Sequence, residues 1–307
     1  MKTLASVIND TLKKGIESNK SMTALVSDVI KLGMSKYEAS FWVPREVSRL
    51  RAEMRRERLV FTFGVEIETS HLSRAAFCTS MRGKGYSAEY QQYNHRDSEV
   101  VFKLVTDASI HGSGGDTPLE CVTPILKGRL GMDRLKACCD SLSETGAKVN
   151  RSCGLHVHIG AKDLTDEQYV SVFVNYLYLE DVIDTFMAPS RRNSTWCQSL
   201  RGKRNALLAS HTKSDVYYAL DGSRYWKVNP VAFSAHRTVE FRQHGGTTDY
   251  AKISAWVEFL GRLVQWSKTN RLTSAVTSVH DIPFLTADLK AFFSERAAQF
   301  ANGAQSA

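Results

Sequence analysis

The chain contains no apolar run near the ~18 residues that a membrane-spanning helix needs. Its first twenty residues, MKTLASVINDTLKKGIESNK, lack the apolar core and small-residue cleavage site of a secretory signal, so a cytoplasmic protein is expected. Cysteine is sparse. The six thiols, at 78, 121, 138, 139, 153 and 197, follow neither zinc-finger nor secreted-scaffold spacing. Free thiols in a reducing compartment are the expectation. No Gly-rich loop ends in Gly-Lys-Ser/Thr, which argues against a P-loop nucleotide site. There is no internal repeat, and low complexity is confined to the polar tail ANGAQSA.

The 307 residues are 43% hydrophobic and 23% charged, enough to bury a sizeable core. Net charge is +8, unevenly spread. Residues 1–60 hold twelve Lys/Arg against seven Asp/Glu, and SRRNSTWCQSLRGKR (190–204) has five basic residues and no acid. Such stretches attract polyanions, whether nucleic acid, ATP or acidic peptides.

Hydrophobic spacing divides the chain. Residues 1–58 form a basic helical segment, in which Leu4, Val7, Ile8, Leu12 and Ile16 lie on one helical face. Gly33 breaks a second helix, and Ser35 to Glu38 suits a capping box for a third. Pro44 is expected to end that helix or restart it as a basic fourth one, Arg45–Arg58. Residues 59–270 form the main domain, and 271–307 a C-terminal helix and tail. In the main domain the period falls to two over 59–70, 119–126, 154–160 and 237–244, predicting strands. Helices are predicted over 131–144, 165–187 (amphipathic, with Val170, Phe173, Leu177 and Val182 on one stripe) and 250–268.

The strands share a peculiarity. Successive strand residues point to opposite faces. Glu66 and Glu68 therefore oppose Phe63, Val65 and Ile67, and His156 and His158 oppose Leu155, Val157 and Ile159. By the same rule Glu240, Arg242 and His244 share a face opposite Val239 and Phe241. This predicts a sheet with one face on a helical core and the other lining a polar site. Carboxylates this close repel unless cations neutralise them, which points to metal. Glu66, Glu68, Glu120 and Glu240 outnumber the imidazoles, which favours Mg²⁺ or Mn²⁺ over Zn²⁺. Two such ions could clamp a polyphosphate, and the planar fork of Arg242 suits a pair of carboxylate or phosphate oxygens.

FGVEIE, TDASI followed by LECVTPIL, NRSCGLHVHIG, PSRRNSTWC, RYWKVN and TVEFRQHGGTTD occur in that order. This ordered set resembles the amidoligase family of the glutamine synthetase/glutamate–cysteine ligase superfamily, over about residues 59–265. The segment NRSCGLHVH is similar to the Asn-Gly-Ser-Gly-Met-His segment of glutamine synthetases. The resemblance implies an α+β fold: an antiparallel sheet curved into a half-barrel, metals in its concave face and helices on the convex side. It also implies ATP-dependent joining of a carboxylate to an amine through an acyl phosphate. By motif position Glu66, Glu68, Glu120, His156 and Glu240 would ligate two Mg²⁺ or Mn²⁺ ions. His158 would lie near the transferring phosphate, and Arg242 would hold that phosphate or the substrate carboxylate. Arg191, Arg192 and Lys227 would neutralise further phosphate charge, and Asn229 could orient substrate. Cofactors would be ATP and Mg²⁺ or Mn²⁺. The partners would be a carboxylate and an amine acceptor, with a glutaminase as a candidate ammonia source and no membrane.

Two other functions compete. A metal-dependent hydrolase could use the same carboxylate–imidazole face. A basic nucleic-acid-binding protein could carry an inert one, and ALVSDVIKLGMSKYEASFW fits a helix-turn-helix with Gly33 in the turn. The retained Glu66, Glu68, His156, Glu240 and Arg242 argue against lost chemistry, and a docking surface for a partner or acidic substrate is the preferred reading of the basic helices.

Overall fold

A computed structural model describes residues 3–18, 20–57, 59–91, 101–112 and 118–303. Residues 113–117, within the turn-rich sequence HGSGGDTP, and the last four residues of the polar tail lie outside these. The chain divides into two compact units, Met1–Val60 and Phe61–Ala307.

The first unit is three helices: α1 (Leu4–Glu17), α2 (Met22–Lys31) and α3 (Lys36–Glu57). Ile8, Leu12, Leu25, Val29, Ala39, Val43, Val47 and Leu50 make its core. The predicted capping box opens α3: the Glu38 amide donates to Ser35 Oγ (3.2 Å), and the Ser35 amide to Glu38 Oε2 (3.3 Å). Gly33 sits in the preceding turn at φ +105°, a conformation that favours glycine. Pro44 does not divide α3, contrary to expectation. It removes one ladder hydrogen bond, but Val43, Val47 and Leu50 are fully buried on both sides of it and hold the helix together.

The second unit begins with β1 (Thr62–Thr69), α4 (Arg74–Gly83), β2 (Ala88–Tyr90), β3 (Phe102–Val105), β4 (Leu119–Val122) and β5 (Leu126–Lys127). Then come α5 (Gly128–Glu144), β6 (Gly154–Gly160), α6 (Asp166–Thr185), α7 (Arg204–Leu208) and α8 (Lys213–Ala219). It ends with β7 (Val228–Asn229), α9 (Ala232–His236), β8 (Thr238–Gly245), α10 (Tyr250–Trp266) and α11 (Ala287–Gly303). The eight strands form one open sheet in the order β2-β3-β4-β1-β6-β8-β7, with β5 beside β1. The sheet is mixed, which corrects the expectation of a wholly antiparallel one. β2 and β3 run parallel, a pairing that a tight hairpin turn cannot join.

The apolar face is covered by helices. Cys121 of β4 meets Cys138 of α5 with sulfurs 3.5 Å apart, and Phe241 of β8 meets Tyr176 of α6 with ring centroids 5.6 Å apart. All six cysteines are free thiols. α6 departs from its expected amphipathic form. It is buried all round, Asn175 and Glu180 included, because it lies inside the unit and not on its surface. Its capping box is Thr165 with Gln168. In α11, Phe293 packs on Phe186, Trp256 and Phe259.

One irregularity decides what faces the site. The register of β6 against β8 shifts between Leu155 and Val157: Val157 opposes Phe241, but Leu155 opposes His244. One residue of β6, His156, thus opposes two of β8, a β-bulge at Arg242 and Gln243. The extra residue flips the alternation. His244 therefore leaves the face of Arg242 and lies against Trp256 of α10, ring centroids 6.0 Å apart. The expectation that His244 shares the polar face is corrected by this bulge.

Candidate functional site

The polar face carries its ionisable residues in cross-strand rows. Asn229 opposes Glu240, which opposes His158. One row along, His156 opposes Glu66, and beyond that Glu68 opposes Glu120. Directly opposed side chains have Cβ atoms only about 4.5–5.5 Å apart, so register alone packs these carboxylates and imidazoles together. His156 Nδ1 lies 3.1 Å from Glu66 Oε2, and its Nε2 lies 3.5 Å from Glu68 Oε1. The Gly154 amide donates to Glu68 Oε2 at 2.6 Å. A Cβ on Gly154 would stand 2.9 Å from His156 Nε2 and 3.1 Å from Arg191 Nη2, so a side chain there would push the imidazole away.

Three overlapping groups place oxygens and imidazole nitrogens within 4.8 Å of one another: Glu66, His158 and Glu240; Glu66, Glu120 and His156; Glu68, Asp107 and Glu120. Glu66 and Glu120 each serve two groups. A divalent cation fits this donor set on two observations. The buried Nε2 of His158 faces Glu66 Oε1 at 3.2 Å and Glu240 Oε2 at 4.0 Å but makes no well-angled hydrogen bond. Its Nδ1 is 2.8 Å from Thr238 Oγ1. The tautomer that donates from Nδ1 leaves the Nε2 lone pair directed at the carboxylates, as metal-ligating histidines require. Oxygen dominance favours Mg²⁺ or Mn²⁺.

The titration behaviour follows from crowding. Burial alone would raise Glu66, but the imidazoles of His158 and His156 hold its carboxyl well below the usual range. Burial would raise Glu240 too, and the Arg242 guanidinium with His158 brings it down. Burial would lower His158, and Glu66 and Glu240 raise it instead. Glu120 lies among carboxylates instead. Burial, with Glu66, Glu68 and Asp107 close by, drives it well above the carboxylate range, so it holds a proton that a cation would displace.

Not every predicted residue points into this cluster. Arg242 does: Nη1 donates to Glu240 Oε1, while its buried Nε has no partner. Asn229 donates to Glu240 Oε2 at 2.5 Å and so orients a carboxylate. Arg191 lies behind Arg242, donating to the Arg242 carbonyl (2.8 Å) and the Gln243 carbonyl (3.3 Å). Arg192 donates from Nε to the Met187 carbonyl. The structure places Lys227 elsewhere. Its ammonium is fully buried against Glu180 (2.8 Å) and Asp184 (2.6 Å) of α6, because a charge that deep needs carboxylate partners. A cleft of about 280 Å³ opens beside the cluster, lined by Glu68, His156, Arg242, Arg151, Arg191 and Trp196 among others.

Residues 60–264 match the family model described as "Putative amidoligase enzyme". The chain belongs to this amidoligase family. No curated protein matches its sequence. Among solved structures it is similar to a bifunctional glutathione synthetase from Pasteurella multocida, at 12% identity and TM-score 0.39, over 83% of this chain and 48% of that one. It is also similar to a novel glutamine synthase homolog, at 14% identity and TM-score 0.36, over 82% of this chain and 66% of that one. The chain thus spans about half the length of the first and less than two thirds of the second.

One residue of this amidoligase family member escapes a reading of charge alone. Thr238 fixes the His158 ring, and period two signals it, since it precedes Glu240 and Arg242 on one strand face. Asp107 joins Glu68 and Glu120 across the β3–β4 connection, where a turn hides the period. Its Oδ1 accepts from the Ser109 amide at 2.6 Å, which sets its rotamer.

Proposed function

We propose that the protein is an ATP-dependent carboxylate–amine ligase that forms an amide or peptide bond through an acyl phosphate. The observation that carries this reading is the set of carboxylates shared among three cation-sized groups, beside a cleft that the Arg242 guanidinium helps to line. Glu66, Glu68, Glu120, His156, His158 and Glu240, with Asp107, would hold Mg²⁺ or Mn²⁺. The ions would neutralise the phosphates of ATP and draw charge from the transferring group.

The chain's own groups do the rest. The cleft admits the carboxylate substrate next to Glu68 and His156. The Arg242 guanidinium, which lines the cleft, offers a donor to a carboxylate or phosphoryl oxygen, worth more in this largely buried setting than in water. Asn229 and Arg242 pin both oxygens of Glu240. Ammonia, an amino acid or a larger amine would then displace phosphate, with a glutaminase as one source of ammonia. The sheet curled as a half-barrel around the ions belongs to the same proposal.

The test is turnover of ATP with Mg²⁺ or Mn²⁺ against pooled carboxylates and amines. The expected result is ADP formation that needs both substrates, with a product lighter than their sum by one water. ADP release indifferent to amine would replace the ligase by a hydrolase.

A further inference from the structure

The bulge that turns Arg242 into the site has its own anchor on the helix side of the sheet. Gln243 is fully buried. Its Nε2 donates to Asp184 Oδ1 at 2.5 Å, and its Oε1 accepts from Tyr176. Asp184 also takes the ammonium of Lys227 at 2.6 Å and the guanidinium of Arg201 at 2.5 Å. Lys227 returns to the same bulge through its backbone, its carbonyl accepting the Arg242 amide at 2.9 Å. On the far side, Arg191 occupies the Arg242 and Gln243 carbonyls.

A bulge leaves its extra residue out of the ladder, so its position must be fixed by contacts other than strand pairing. The bonds that reach the bulge itself come from Asp184 and Tyr176 to Gln243, from Lys227 to the Arg242 amide and from Arg191 to the two carbonyls. We infer that Gln243, locked by Asp184 and Tyr176, is a positioning residue: it holds the bulge in the register that directs the Arg242 guanidinium at Glu240 and His156. Lys227 thus acts on the site from behind the sheet. The anchor consists of directional bonds to the buried Gln243 and Lys227, so a shift of the bulge would orphan several of them at once. Buried orphans are costly.

The inference rests on the proposed function only for the role of Arg242, and its test separates the two. The side-chain Nε–H signal of Arg242 is identified by NMR through its absence in Arg242→Lys. Gln243→Met keeps the volume and removes both anchor bonds, and Tyr176→Phe removes one. In the folded variants the Arg242 signal should shift or broaden in Gln243→Met, and less in Tyr176→Phe. An unmoved signal in a folded Gln243→Met protein overturns the inference, whatever the protein catalyses. If the wild type binds MgATP, Gln243→Met should weaken it about tenfold, and the double variant Arg242→Lys/Gln243→Met should be no weaker than Arg242→Lys alone. Additive losses would mean that Gln243 acts by another route. Should Gln243→Met fail to fold, the signal in Tyr176→Phe decides: unmoved, it overturns the inference. A wild type that binds no nucleotide would count against the proposed function and leave the NMR comparison intact.

Discussion

Glu66, like Glu120, belongs to two cation-sized groups where Glu240 belongs to one. Glu66→Gln should therefore weaken two Mn²⁺ sites and Glu240→Gln one, each by at least the 10–100-fold typical of losing even an outer-shell partner. Titration of Mn²⁺ by electron paramagnetic resonance would count them. Equal losses from the two variants would mean that Glu66 is not shared. His244 behaves in the opposite sense to the site histidines. Buried against Trp256, with Nδ1 donating to the Gly245 carbonyl at 2.7 Å, it is pushed down to about 3. The folded state thus resists a proton that the unfolded chain accepts near pH 6.5. The stability this contributes is complete above about pH 6.5 and is lost as pH falls toward about 3, by up to about 1.4 kcal/mol per pH unit. Urea unfolding of the wild type and His244→Phe at pH 7, 6, 5 and 4 should show the gap between them closing as pH drops. Parallel curves would mean that the wild-type imidazole is already charged in the fold.

Among the elements, the strands that matter most were the easiest to read. β1, β6 and β8 each alternate one apolar face with one ionisable face, and the sheet uses that alternation as written. The alternation fails at His244, where a bulge that no residue type marks adds one position. β2, β3 and β7 span two to four residues, too few to show a period. α6 hid its burial because its inward polar groups, Glu180 and Asp184, meet their partners only in three dimensions. Lys227 was misplaced for the same reason: charge predicts a partner but not on which side of the sheet it lies. Packing between elements makes a sharper prediction. A Cβ on Gly261 of α10 would sit 2.0 Å from Phe61 Cζ, an overlap that neither rigid group can relieve. Gly261→Ala should cost roughly 1–3 kcal/mol in spite of its better helix propensity. Thermal unfolding measures this directly, and an unchanged midpoint would show that Phe61 has room to move.

At the scale of the whole molecule, each unit has its own core. The first buries Leu12, Leu25, Val43 and Val47, and the second assembles every site residue named above. The first 60 residues carry much of the positive excess and none of the aligned carboxylates. A chain beginning near Phe61 should fold cooperatively and keep its Mn²⁺ sites. Loss of those sites in a folded truncated protein would show that the helical unit completes them. One isotope tests how a carboxylate is activated. With a carboxylate substrate labelled with ¹⁸O, attack on the γ-phosphoryl group followed by amine displacement leaves one carboxylate oxygen on the phosphate. Mass spectrometry of the released phosphate should therefore find one ¹⁸O per turnover. Unlabelled phosphate, or label found in AMP, would contradict the acyl-phosphate ligase.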